Sequence, residues 1–278
     1  PADGITGPQW RWLRENWQAA YECRPGRVLG ATVGWSEAAL EAEIADYPLR
    51  RVWTRHKIAA ELQRRGGPLQ VVARIEHLDA TRGCLLVPRP ELLPPAELSR
   101  VLDYPHGPVV TIGRQAAALP APDLSFANGP GPAQLVCRVY HADRPIAVPE
   151  IPPSPEVEFP DPISDPPNYL YDLYFRPTSD AFLGACVQVL IELSAMPRLA
   201  SATPAARLLA FETHDGLVRL LVGNEAHIYV LARIDMRRPV REVRVASHFP
   251  GRPIEVANSI LNVRIPPRGV VLLDVTPM

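Results

Sequence analysis

The sequence predicts an α/β domain followed by an all-β domain: a small parallel sheet in a three-layer arrangement, and then a C-terminal antiparallel β-sandwich. Residues 69–75, 84–87 and 109–112 are apolar runs with helical patterns around them, as in strands that helices cover on both faces. From residue 217 onward, apolar and polar residues alternate in short runs between turn residues. That alternation is typical of half-buried antiparallel strands.

Two helices are predicted before the first apolar run. Ser36 is a suitable N-cap for a helix to about Asp46, where Tyr47-Pro48 should stop it, because proline disfavours a helical residue before it. A second helix should run from about residue 49 to residue 65. Gly66-Gly67 should end it, since glycine is favoured at helix C-termini.

The three apolar runs, Leu69–Ile75, Cys84–Val87 and Val109–Ile112, are expected to be the central strands of the sheet. A helix that begins near Pro95 separates the second run from the third. These two strands should therefore pair in parallel through a right-handed crossover. The third strand ends in Gly113-Arg114.

The β-sandwich is expected to begin near Leu208. Glycine, proline and asparagine residues between the alternating runs favour turns. We interpret the following runs as its strands: Val218–Val222, Ile228–Ala232, Val243–Ala246, Leu261–Ile265 and Val270–Val275.

These patterns divide the chain into four segments. Residues 1–35 are aromatic-rich and expected to be irregular, as a remnant of a catalytic domain or a contact to one. Residues 36–127 form the α/β domain. Residues 128–207 are a Pro-rich linker with a plausible strand at Leu135–Tyr140 and a helix ending near Ala195, and residues 208–278 are the sandwich.

Aromatic side chains could form a sugar-stacking surface. We favour packing in a core or at an interface for most tryptophans, because that is what large aromatic side chains mostly do. The candidates for stacking are Trp10, Trp12, Trp17, Trp35, Trp53 and the segment Asn168–Phe175.

Composition excludes several classes of protein. With 278 residues, 47% apolar content and a net charge of −1, the chain fits an ordinary soluble globular protein of one or two domains. No basic cluster points to nucleic acid, and no apolar run is long enough to span a membrane. The four cysteines are far apart and are expected to be reduced and mostly buried. The compartment stays open, and the start at Pro1 suggests a processed end or a boundary cut from a longer protein.

Catalytic and cofactor motifs are missing from the sequence. It contains no Gly-x-Gly-x-x-Gly, no Walker loop and no Gly-x-Ser-x-Gly, so we expect no nucleotide cofactor and no serine hydrolase. Cys84 opens a strand and is poorly placed as a nucleophile. The acidic residues of the Pro-rich stretch lack EF-hand spacing and are expected to bind no metal. These residues are Glu150, Glu156, Glu158, Asp161 and Asp165.

Two segments carry a resemblance to a known family. Gly83–Arg114 (GCLLVPRPELLPPAELSRVLDYPHGPVVTIGR) is similar to the amidotransferase-like middle domain of multidomain β-galactosidases. Ser247–Val275, with its Pro-Pro-Arg-Gly-Val-Val-Leu-Leu ending, resembles their C-terminal β-sandwich. The resemblance implies the accessory region that follows a catalytic (β/α)₈ barrel, with a catalytic barrel domain or a homo-oligomer subunit as partner. It transfers no catalytic residue to this sequence.

Three hypotheses follow, in order of preference. The first is a non-catalytic C-terminal portion of a glycoside hydrolase, acting as scaffold, oligomer contact or active-site wall. In it, a sugar could touch Arg114 at the carboxyl end of the parallel strands, which makes Arg114 the one candidate ligand-binding residue. The second is a self-standing carbohydrate-binding or protein-interaction module. The third is a small complete hydrolase using an unidentified pair among Glu76, Asp79, Glu91 and Asp123.

Overall fold

A computed structural model of the chain describes residues 7–9, 11, 14, 25–50, 54–114, 119–128, 135–147, 151, 180–199, 206–246 and 254–278. The chain divides into two compact units, residues 31–194 and residues 1–30 together with 195–278. The first unit is an α/β layer structure and the second is an antiparallel β-sandwich. The predicted fold class is therefore confirmed.

Within the described residues, the α/β unit contains four helices and six strands, with short 3₁₀ helices at Ile75–Ala80 and Pro90–Leu92. The expected range 36–127 lies inside this unit. In chain order, the elements are β2 (Ala31–Trp35), α1 (Glu37–Arg50), α2 (Arg55–Arg64), β3 (Leu69–Arg74), β4 (Leu85–Pro88), α3 (Pro95–Leu102), β5 (Val109–Gly113), β6 (Leu124–Ala127), β7 (Val136–Tyr140) and α4 (Asp180–Leu193), while β1 (Pro25–Val28) belongs to the other unit.

The sheet has the strand order β3-β2-β4-β5-β7-β6. Strands β3, β2, β4 and β5 are parallel, and β7 and β6 run antiparallel to their neighbours. Leu86 lies opposite Val110 in the β4–β5 pair, with α3 as the connection between the two strands. The predicted parallel crossover is confirmed.

Helices cover both faces of this sheet, which makes three layers. One face packs on α2 and α4, and its buried side chains include Val33, Ile58, Leu62, Leu86, Val110, Phe182 and Cys186. The opposite face packs on α1 and α3, and its buried side chains include Ala39, Leu85, Val87, Val101 and Val109.

The position of the first apolar run was predicted wrongly. β3 lies at the edge of the sheet, and β2, from the segment expected to be irregular, lies between β3 and β4. An edge strand has a neighbour on one side only, and Val72 of β3 is 66% exposed. The run Leu69–Ile75 is thus apolar in sequence without being buried on both faces.

The helix boundaries differ partly from expectation. Ser36 caps α1 as predicted, since its Oγ accepts a hydrogen bond from the amide of Ala39 at 3.0 Å. However, α1 continues to Arg50 and is not stopped by Tyr47-Pro48. The fixed φ of proline is compatible with a helix. Because Pro48 has no backbone N–H, its place in the helix costs one backbone hydrogen bond.

The second helix begins later than expected, at Arg55. Thr54 caps it, because its Oγ1 accepts from the amide of Lys57 at 3.1 Å. Its end is as predicted: Gly66 has φ 82°, and Gly67 donates to the carbonyl of Leu62 at 2.8 Å. A left-handed glycine with this bond is a Schellman C-cap.

The sandwich consists of two antiparallel sheets, ordered β1-β9-β10-β15-β12 and β13-β14-β11-β8. Its core includes Leu220, Ala232, Ile234, Leu261 and Leu273. Besides β1, its strands are β8 (Arg198–Leu199), β9 (Ala206–Thr213), β10 (Val218–Asn224), β11 (Val230–Asp235), β12 (Val240–Val245), β13 (Glu255–Ala257), β14 (Ile260–Ile265) and β15 (Val270–Pro277).

Two strands of the sandwich are shifted from their predicted places, and one of them is β12, which covers Val240–Val245 where Val243–Ala246 was expected. The run Ile228–Ala232 was read as a strand, but β11 covers Val230–Asp235. Val230 and Ala232 are buried, whereas Tyr229 and Leu231 are 57% and 61% exposed. Although this run was expected to alternate, all five of its residues are apolar, so the sequence does not show which side chains face the core.

Candidate functional site at the carboxyl edge of the parallel sheet

Strands β2, β4 and β5 end together at one edge of the parallel sheet. In open α/β sheets, ligands bind beyond the carboxyl ends of the strands. Four charged side chains meet at this edge, and all are largely buried. We call these four the edge cluster: Glu43, Arg55, Arg89 and Glu91.

Arg55, the first residue of α2, is fixed by both α1 and the end of β2. Its backbone amide donates to Oε1 of Glu43 at 2.7 Å, and its Nη1 donates to the carbonyl of Ser36 at 2.8 Å. Its guanidinium carbon lies 4.6 Å from the centre of the Trp35 ring, a cation–π distance. Its Nη2 is buried and has no hydrogen-bond partner among the described residues.

Arg89 follows β4 in the left-handed conformation, with φ 57°. Its amide donates to the carbonyl of Ile112 at 2.8 Å, which holds the turn against β5. Its Nε donates to Oε1 of Glu91, and its Nη1 lies 3.9 Å from Oε1 of Glu43. The side chain is 2% exposed, so the guanidinium is neutralised by carboxylates and not by water.

Gly113, the last residue of β5, leaves room for the turn after β4. A Cβ at this position would lie 2.6 Å from Cδ of Pro90 and 3.2 Å from Cα of Arg89, and would collide with Oε2 of Glu91. That oxygen is buried and accepts no hydrogen bond from the described residues. The end of β5 and this turn are therefore in close contact.

The charges of the edge cluster cancel, with two arginines and two glutamates. Buried ions are tolerated when they are paired in good geometry, and removing one partner leaves an uncompensated charge. The two carboxylates therefore act as counter-ions. Neither is available as a solvent-exposed general base.

The four carboxylates weighed as a catalytic pair have different surroundings. Glu76 and Asp79 are exposed on the 3₁₀ helix after β3, and Glu76 pairs with Arg74 at 3.0 Å. Asp123 precedes β6 and accepts from the amide of Ala142 at 2.9 Å. Glu91 is the one of the four that belongs to the edge cluster.

Arg114, the candidate ligand-binding residue, follows β5 directly and is half-buried. Its carbonyl accepts a hydrogen bond from Nη1 of Arg138 at 3.3 Å. The sequence thus placed Arg114 at the carboxyl edge of the sheet, where the structure also has it. Its role in binding stays a proposal.

Cys84 has the environment of an inert thiol. It is 1% exposed, and burial followed by the neighbouring Cys137 raises the pKa of its thiol to about 12. Burial likewise raises the pKa of Cys186, with Cys137 adding to the effect. A thiol that remains protonated is a poor nucleophile.

Trp35 is the tryptophan of the stacking hypothesis that the structure describes. Arg55 lies over its ring and would compete with a sugar for that face. Trp10, Trp12, Trp17, Trp53 and the segment Asn168–Phe175 lie outside the described residues.

The part of the chain that the structure describes contains no group of three or more His, Cys, Asp or Glu side chains that could hold a metal ion. The acids expected to bind no metal, Glu150, Glu156, Glu158, Asp161 and Asp165, lie outside it. Among the described helices, none has both the length and the apolar character needed to cross a membrane.

Sequence reasoning missed Glu43, Arg55 and Arg89 as members of one site. Glu43 and Arg55 are 12 positions apart on two helices, and no spacing rule predicts that contact. Arg89 did carry a signal, because it stands between two prolines directly after an apolar strand. Arg138 carried another, as a charge inside the apolar run LVCRVY.

Among known proteins, similar ones were found among the solved structures only. No family model matches the sequence, and no curated protein matches it. The chain is similar to a β-galactosidase from Bacillus circulans sp. alkalophilus, with 13% identity and a TM-score of 0.49 over 97% of this chain and 44% of that one. It is also similar to a catalytic mutant of a GH42 β-galactosidase from G. stearothermophilus, with 12% identity and a TM-score of 0.43 over 90% of this chain and 40% of that one. The chain spans less than half the length of either.

Proposed function

We propose that this chain is the non-catalytic C-terminal portion of a β-galactosidase-like glycoside hydrolase, where it serves as a scaffold, an oligomer contact or a wall of the active site. The observation that carries the proposal is the edge cluster. At the place where an α/β enzyme binds its substrate, this chain has two arginines and two glutamates that neutralise one another.

Glycoside hydrolysis needs two carboxyl groups on either side of the scissile bond, one protonated and one ionised. Glu91 is paired with Arg89, and Glu76 is paired with Arg74 on the surface. Asp123 accepts a backbone hydrogen bond. The surroundings of these acids supply counter-ions or solvent, neither of which prepares a carboxyl group to act as the acid.

The structure of the two segments that resemble β-galactosidase domains also supports the proposal. Gly83–Arg114 contains the β4–α3–β5 crossover, and Arg89 and Glu91 lie in its turn. In Ser247–Val275 the last strand, β15, lies between β10 and β12 in the five-stranded sheet. The partner implied by this function is a catalytic barrel domain or another subunit of a homo-oligomer.

A self-standing protein-interaction module is the second candidate. The observation that favours it is a group of exposed apolar side chains around the start of β11, in which Ile228, Tyr229 and Leu231 are 69%, 57% and 61% exposed. The guanidinium carbon of Arg264 lies 4.7 Å from the Tyr229 ring centre. Exposed tyrosine and arginine beside aliphatic groups are common in protein interfaces.

The complete reading frame that encodes this chain distinguishes the two candidates. The first predicts a frame with a barrel-sized segment ahead of Pro1, whose full product hydrolyses aryl β-galactosides while the present chain alone does not. A frame that encodes the present chain and no barrel would contradict the first candidate. It would favour the second.

A further inference from the structure

Two buried cysteines meet where α4 packs on the sheet. Cys137 of β7 is the direct cross-strand neighbour of Phe126 of β6, so both side chains point to the face that α4 covers. On α4, Cys186 follows Phe182 by one helical turn, which puts these two residues on one side of the helix. The rings of Phe126 and Phe182 pack edge to face, with their centres 5.6 Å apart. The phenylalanine pair and the cysteine pair are thus neighbouring contacts of one interface.

The thiol groups of Cys137 and Cys186 are in hydrogen-bond contact with each other. Both side chains are 0% exposed, and both cysteines are free thiols in the structure. A disulfide requires two cysteines whose Cβ atoms point toward each other across a short distance. Two sulfur atoms that already meet across a packed interface satisfy this requirement, so joining them needs little movement of the backbone.

We infer that Cys137 and Cys186 are a disulfide site, which a small-molecule disulfide oxidises while the chain folds and which is closed to oxidation once the chain has folded. In the first step, the thiolate of one cysteine attacks the small disulfide, forms a mixed disulfide and releases one small thiolate. In the second step, the thiolate of the other cysteine attacks the protein sulfur of the mixed disulfide and releases the second small thiolate. The two protein thiols lose two protons and two electrons, and the small disulfide is reduced to two thiols.

Burial is the reason why the redox state is fixed when the chain folds. The thiolate is the attacking species, and burial, together with the contact to Cys137, raises the pKa of Cys186 well above its ordinary value. Because neither side chain has exposed surface, a small disulfide or a small thiol does not reach the pair in the folded protein. In the unfolded chain both thiols are exposed, and a thiol pKa of about 8.5 leaves a reactive thiolate fraction at pH 8.

The bond would join α4 to the sheet and close a loop of about 50 residues that includes the Pro-rich stretch. A cross-link that closes a long loop restricts the unfolded chain and thereby favours the folded state. We therefore expect the oxidised protein to melt several degrees above the reduced protein.

The test compares two refolding reactions of the purified chain. The chain is unfolded in urea with dithiothreitol and refolded at pH 8, either with dithiothreitol or with a mixture of reduced and oxidised glutathione. Non-reducing peptide mass spectrometry of the glutathione sample should find Cys137–Cys186 as the main bond, and this sample should have the higher melting temperature. A different main pairing, no bond, or a lower melting temperature of the oxidised protein would overturn the inference.

Cysteine variants assign the effect to this pair. Cys186→Ala should abolish the difference in melting temperature between the two refolding conditions. Cys84→Ala is the matched control, because Cys84 is buried in the same core, and it should retain the difference. Each variant is compared with itself, so the cost of the substitution cancels. A difference that persists in Cys186→Ala would contradict the inference, and if this variant does not fold, the bond mapping of the unsubstituted chain still decides.

A third sample tests whether the redox state is fixed at folding. Oxidised glutathione is added to the chain that was folded in dithiothreitol and then freed of it. We expect no Cys137–Cys186 bond after several hours, in contrast to the chain refolded with glutathione. Rapid formation of the bond in the folded chain would contradict this part of the inference.

Discussion

Glu43 of α1 lies 3.9 Å from Nη1 of Arg89, the residue that follows β4. The same carboxylate accepts the backbone amide of Arg55 at 2.7 Å. One side chain therefore joins α1, the start of α2 and the turn after β4. This carboxylate is the central member of the edge cluster.

Replacing Glu43 with glutamine should destabilise the protein strongly. The change removes the counter-charge of Arg55 and part of that of Arg89, and breaking a buried ion pair costs about 3 kcal/mol. Urea unfolding measures the loss. Glu37→Gln is the matched control, because Glu37 is on the same helix and its pair with Arg74 is exposed, at 59% and 54%. Such a pair contributes about 1 kcal/mol or less, and equal losses in the two variants would contradict the assignment.

A methyl group at position 113 should separate β5 from the turn after β4. Gly113→Ala places a Cβ 2.6 Å from Pro90 and against Glu91, so we expect a loss of about 1–3 kcal/mol in the free energy of unfolding. Gly184→Ala on α4 is the control, since nothing lies within 4 Å of its added Cβ. That change should raise the free energy of unfolding by about 0.5–1 kcal/mol, because alanine has a higher helix propensity than glycine. A neutral Gly113→Ala would show that the turn can move away.

The sequence predicted the layers of the fold. It did not predict which strand lies at the edge of the sheet or which buried side chains meet. The β4–α3–β5 crossover could be predicted because an apolar run, a helix and a second apolar run leave one common topology. The edge position of β3 could not, because LQVVARI reads as buried on both faces although Val72 is exposed. Arg114 could be placed at the edge of the sheet from strand ends alone. The partners Glu43 and Arg55 required the packing of two helices, which no local pattern contains.

Asp274 of β15 should make the free energy of unfolding depend on pH in the acidic range. Arg219 donates to it at 2.6 and 2.9 Å, and Arg244 donates at 3.0 Å. Burial alone would raise the pKa of Asp274, but the hydrogen bonds and charges of these arginines outweigh burial and lower that pKa. A carboxylate with a lowered folded-state pKa stabilises the fold above its unfolded pKa of about 3.9, and that contribution is lost as pH falls through the folded value.

The measurement is the free energy of unfolding of the native chain and of Asp274→Asn between pH 7 and pH 2. The difference in the free energy of unfolding between the two proteins should be largest at neutral pH and should shrink below about pH 4. A difference that stays constant down to pH 2 would mean that Asp274 contributes through packing and not through its charge.

The buried thiols should resist alkylation in the native protein. Cys84, Cys137 and Cys186 are 0–1% exposed, and the pKa of Cys84 is raised to about 12. Iodoacetamide at pH 8 followed by peptide mass spectrometry should show these three unmodified until urea is added. Rapid labelling of native Cys84 would reopen the possibility of a cysteine nucleophile.

Hydrolysis of aryl glycosides by the purified chain tests the central claim most directly. A panel of aryl α- and β-glycosides, including β-galactosides, should show no turnover above buffer, because Glu76, Asp79, Glu91 and Asp123, the four acids weighed as a catalytic pair, are ion-paired, backbone-bonded or exposed. The amide variants of Glu76, Asp79, Glu91 and Asp123 supply the control for contaminating activity. Turnover by the native chain that disappears in one of these variants would show that the chain has its own catalytic carboxylate and is a complete hydrolase.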